Sequence, residues 1–136
     1  MIGLDTNVIV RILTGDDERQ QKAALTFLHA TCSSDDPGWI NRIVAIEIVW
    51  VLERAYRFSR EQIADAMERL LHTAELAFED SDQLRTALAA YRKGADLADA
   101  FLGEVNRIKT CTTTITFDRH AAGRLPTFTL LEAQAG

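Results

Sequence analysis

Short apolar or β-branched runs alternate along the chain with longer segments whose apolar residues recur at helical spacing. Met1 to Leu4 is an apolar run that stops at Asp5 and predicts a buried strand. Trp39 to Asn41, Glu75 to Phe78, Cys111 to Thr116 and Thr127 to Leu131 predict four more. Asn7 to Leu13 predicts a short helix stopped by Thr14-Gly15. Asp16 opens a second helix to about Ala30, with Ala23, Ala24, Phe27 and Leu28 on an apolar face. Ile43 to Tyr56 predicts a buried helix. Ser59 to His72 predicts another, with Ser59 as its cap, Gln62 at the capping-box position, and Ile63, Met67, Leu70 and Leu71 inward. Ser81 to Lys93 predicts a helix ended by Gly94, and Asp96 to Lys109 one capped by Asp96.

These strands are short and apolar rather than two-faced. Alternating with helices, they predict an α/β domain whose central parallel sheet of about five short strands is sandwiched between helices. The 136 residues fit one domain, 1–136, with no repeat, low-complexity tract or linker to divide it. In such sheets ligands bind beyond the carboxyl ends of the strands, so residues that follow strands draw attention.

Composition narrows the function classes. A hydrophobic fraction of 47% with 26% charged residues excludes a disordered chain, a rod or a collagen-like repeat. The longest apolar run, Ile48 to Leu52, is five residues, against about 20 for a membrane span. The first residues lack the basic and apolar regions of a secretory signal, so the expected location is cytoplasmic, with no membrane association. The net charge is −5. A passive nucleic-acid binder is usually basic. An acidic chain that handles phosphates must hide or neutralise carboxylates, most simply with a divalent cation. Cys32 and Cys111 form no C-x-x-C pair and are expected as two reduced, buried thiols.

Five acids stand out. Asp5 ends the first strand, where it faces a crevice or caps the helix that follows. Glu47 is the one polar residue among ten from Ile43 to Leu52. A lone carboxylate in a core helix needs a partner, either an arginine or a metal. Asp96 and Asp99 form D-L-A-D at a helix start, the pattern of a cap and a first-turn acid. Asp118 follows the fourth strand segment, Cys111 to Thr116, in T-I-T-F-D-R-H, with Thr116 two residues earlier to orient it. Each alone has a structural reading, a cap or a turn for the aspartates and an ion pair with an arginine for Glu47. Together they make a set of hard oxygen ligands suited to Mg²⁺ or Mn²⁺ rather than Zn²⁺. The chain has no G-x-S-x-G, no P-loop and no G-x-G-x-x-G motif. His29, His72 and His120 lack metal-ligand spacing. His29 and His72 are expected partly exposed in helices; His120, near Asp118 and Arg119, is expected as a turn residue, with a substrate contact as the alternative. Arg11, Arg42, Arg119 and Arg124 fit either an RNA path or ordinary surface solvation.

D-T-N-V at 5–8, E-I-V-W-V-L at 47–52, A-D-L-A-D-A at 95–100 and T-F-D-R at 116–119 resemble the PIN-domain nucleases. Within them the chain is most similar to VapC-type toxins of toxin–antitoxin pairs. The resemblance implies a parallel sheet between helices and an acidic pocket that binds Mg²⁺ or Mn²⁺ and hydrolyses RNA by metal-activated water. It implies Asp5, Glu47, Asp99 and Asp118 as catalytic and metal-binding acids, and Asp96 as a further acid or the helix cap. Thr6, Asn7 and Thr116 fall at positions that brace the acids. It also implies a homodimer, an RNA substrate and a cognate antitoxin that blocks the pocket with a basic residue. One alternative is a catalytically inactive PIN-like domain that binds an antitoxin or RNA. A phosphatase working through an aspartyl-phosphate is another, but Asn7 stands where that chemistry wants a second acid.

Overall fold

A computed structural model of the chain describes residues 1–133. It forms two compact units, Met1–Ser81 and a second that begins at Asp82. In chain order the first unit contains β1 (Ile2–Gly3), α1 (Thr6–Thr14), α2 (Glu18–Thr31), β2 (Gly38–Ile40), α3 (Arg42–Arg54), α4 (Arg60–Leu71) and β3 (Leu76–Phe78). The second contains α5 (Ser81–Arg92), α6 (Leu97–Ile108), β4 (Thr114–Thr116), α7 (Arg119–Arg124) and β5 (Phe128–Leu130). The α/β class holds, and the five expected strands are present. All their pairings are parallel, in ladders of three (β1–β2–β3) and two (β4–β5) strands.

Local chemistry sets most helix ends. Gly15 closes α1 in the left-handed region at φ 64, returning its N–H to the Arg11 carbonyl. Ser59 and Gln62 form the anticipated capping box at α4. The Asn41 side chain caps α3, and the Glu79 carboxylate accepts from the Arg42 backbone N–H at 2.8 Å. The core of the first unit is built from Ile9, Val10, Ile40, Ile48, Leu52, Ile63 and Met67, all nearly inaccessible. Leu84, Leu88, Tyr91, Leu97 and Phe101 fill that of the second.

Several expectations are corrected. Helix α3 is two-faced rather than wholly buried. Val44, Ala45, Ile48, Val49 and Leu52 point inward, whereas Ile43, Glu47 and Trp50 share an exposed stripe. Apolar residues occupy both faces there, which hides the 3.6-residue period. On α2 only Leu28 is buried, and Phe27 stays 38% exposed. Strand β1 is short and lies at the end of its ladder, which leaves Ile2 at 44% exposure rather than buried. Leu71 is only half-buried. Cys32 is buried as expected, but Cys111 is exposed, because β4 begins three residues later and Cys111 belongs to the loop before it. Helix α7 had no counterpart among the expected elements.

Candidate functional site

In the first unit, Asp5 follows β1 and caps α1, its Oδ1 accepting from the Thr6 N–H at 2.7 Å. The side chain is exposed and opens, with Asn7, onto a groove of about 550 Å³ whose other walls include Leu4, Arg11 and Phe27. Thr6 braces Asp5 through its main chain. Its own hydroxyl is buried without a hydrogen-bond partner among the described residues. Glu47 lies on the outer stripe of α3, exposed, so it needs neither an arginine nor a metal to offset burial. Among the described residues it makes no hydrogen bond or ion pair.

The second unit brings three of the predicted acids together. Asp96 caps α6, its Oδ2 accepting from the Asp99 N–H at 3.0 Å. Asp118 caps α7, its Oδ1 accepting from the N–H groups of His120 at 2.9 Å and Ala121 at 3.2 Å. Thr116 supports Asp118 as anticipated, but through the backbone: its Oγ1 accepts from the Asp118 N–H at 3.0 Å. Each cap uses one carboxylate oxygen and leaves the other without a protein donor among the described residues. Asp99, half-buried in the first turn of α6, holds its proton more tightly than an ordinary aspartate. Partial burial is the main cause, followed by the charges of Asp96 and then Asp118, while His120 acts in the opposite sense. Three aspartates grouped in this way supply hard oxygen donors of the kind that fits a divalent cation. Within either unit, no three described His, Cys, Asp or Glu side chains close into a ready metal cage.

His120 lies near this group, where the sequence favoured a turn residue over a substrate contact. The signal was present: Asp118 followed by six residues before Leu125-Pro126 is a cap, a short helix and a stop. The arginines are largely engaged. Arg11 bonds Asp16, Gln20 and Tyr56, Arg42 bonds Glu79 and Asp80, and Arg124 bonds the Lys93 carbonyl. Arg119 makes a looser, exposed pair with Glu132. His29 and His72 are exposed, away from any acid cluster among the described residues.

A relative, the VapC ribonuclease of Aquifex aeolicus, is 28% identical over 90 residues, which span 66% of this chain and 66% of that protein. The chain thus spans just under two thirds of the length of the curated relative it matches. The PIN domain family matches residues 2–124, from β1 through the end of α7. That match takes in Asp5, Glu47, Asp96, Asp99 and Asp118, and with acid-capped helices following parallel strands it establishes that the chain belongs to the PIN-domain family.

Proposed function

We propose that this chain is a metal-dependent endoribonuclease and the toxin of a toxin–antitoxin module. The grouping of Asp96, Asp99 and Asp118 carries the reading, because Asp99 responds to the charge of both neighbours. Asp99 and Asp118 enter as ligands, with Asp96 as cap and supporting acid. Asp5 and Glu47 enter by their motif positions, with Thr6, Asn7 and Thr116 as braces. When bound, Mg²⁺ or Mn²⁺ would supply Lewis-acid stabilisation of phosphate charge and lower the pKa of attacking water. The protein's part is to fix the acids. Helix caps hold one carboxylate oxygen each of Asp5, Asp96 and Asp118. The full partner set is an RNA substrate, a cognate antitoxin and a second copy of the chain, in the cytoplasm. No described helix is long and apolar enough to cross a membrane.

A cleavage assay on a mixed RNA pool tests the proposal. Cleavage with Mn²⁺ or Mg²⁺, lost in EDTA and in both Asp5→Asn and Asp99→Asn, is the expected result. Cleavage that persists in EDTA overturns the metal mechanism. A second reading is a PIN domain that binds RNA or an antitoxin without cutting. RNA binding without cleavage, under every metal condition, would select it.

A further inference from the structure

Arg124 ends α7, the six-residue helix that Asp118 caps. A helix this short does not hold itself. Ala121 and Leu125 anchor its apolar side, at 3% and 5% exposure. On the other side, Arg124 Nη1 donates to the main-chain carbonyl of Lys93 at 2.8 Å. Lys93 and Gly94 form the turn that leaves α5, their N–H groups returning to Ala90 and Tyr91 at 3.0 Å. Gly94 takes φ +111, and a Cβ there would stand 2.9 Å from Arg124 Nη1 and 3.1 Å from its Cζ. The guanidinium therefore lies against bare backbone that only glycine provides. Asp96 follows two residues after Gly94, caps α6 and holds the Asp99 N–H. One side chain thus ties the helix opened by Asp118 to the turn that runs into Asp96 and Asp99.

We propose that Arg124 is a positioning residue that sets where Asp118 stands relative to Asp96 and Asp99, and so tunes the affinity of this acidic group for a divalent cation. The proposal rests on the metal-nuclease reading above. Carboxylates brought together without a cation repel, and a six-residue helix gives way unless something holds it. A charge-assisted bond to a main-chain carbonyl provides that hold without placing a cation among the ligands.

Mn²⁺ binding by the full chain, followed by electron paramagnetic resonance of the free ion, tests it. Arg124→Ala should bind about tenfold more weakly, as expected for an outer support of a metal ligand, while the helical circular-dichroism signal stays at the wild-type level. Arg124→Lys keeps a cationic donor on the same helix and should recover part of that loss. Wild-type affinity in Arg124→Ala overturns the proposal. A drop in melting temperature with unchanged affinity also overturns it, by leaving Arg124 a purely structural role. Failure of the wild-type protein itself to bind Mn²⁺ defeats the metal-nuclease reading, and Arg124's role in it falls with that reading.

Discussion

The Asp96 carboxylate holds the Asp99 backbone N–H at 3.0 Å, so the group that starts α6 also opposes the charge of the acid in its first turn. Capping and crowding come from the same side chain. Asp96 stabilises the helix and, at the same time, disfavours ionisation of Asp99.

The two roles of Asp96 separate by substitution. Serine is as good an N-cap as aspartate, whereas alanine is not. Asp96→Ser should keep the wild-type stability, and Asp96→Ala should lose about 1 kcal/mol, measured by urea unfolding. Mn²⁺ affinity of Asp96→Ser near wild type assigns the residue to the cap. A loss matching that of Asp99→Asn makes it a ligand.

Asp99 has its affinity for a proton raised by folding, so ionising it costs stability in the metal-free protein. This penalty grows as pH rises from the ordinary carboxylate range through the raised pKa, and it is fully present at neutral pH. Asp99→Asn should therefore melt above wild type in EDTA at pH 7, and the gap should close as pH falls and wild-type Asp99 takes up its proton. A wild-type protein that melts higher at pH 7 would contradict the crowded-acid picture.

Glu79 behaves in the opposite sense. Hydrogen bonds from the Arg42 side chain and backbone hold its carboxyl below the usual carboxylate range. Its contribution is present above the unfolded pKa and is lost as pH falls through the lowered one. Glu79→Gln should cost less than about 1 kcal/mol at pH 7, since the pair is partly exposed. Thermal melts should show that difference disappearing in acid.

The two thiols differ in access. Cys111 is exposed and Cys32 buried. An aromatic disulfide reagent should titrate one thiol promptly in the native protein and both in guanidinium. Two prompt thiols in the native state would contradict the burial of Cys32.

Much of this architecture was legible because it rests on local rules. The Ser59–Gln62 box, the Gly15 stop and the Asp96 cap each follow from a few neighbouring residues, and each stands where expected. What failed depended on packing over distance. Glu47 among nine apolar residues argued for burial, yet Ile43 and Trp50 share its outward stripe, and no local pattern announces that an apolar residue faces solvent. The tie between Arg124 and the Lys93 carbonyl spans 31 residues and leaves no spacing to read. For the site, the Asp96–Asp99 pair followed from a helix start. The bearing of Asp118 and His120 on Asp99 emerged only from the placement of α7.

The most direct test of the central claim is Mn²⁺ titration of the purified, antitoxin-free chain beside Asp5→Asn and Asp99→Asn. The account predicts that wild type binds and that both variants lose affinity, because the proposed function enlists acids from separate motifs for one cation. Binding by Asp5→Asn equal to wild type would contradict the shared acid set. No binding by wild type, even with RNA present, would contradict the metal-dependent nuclease itself.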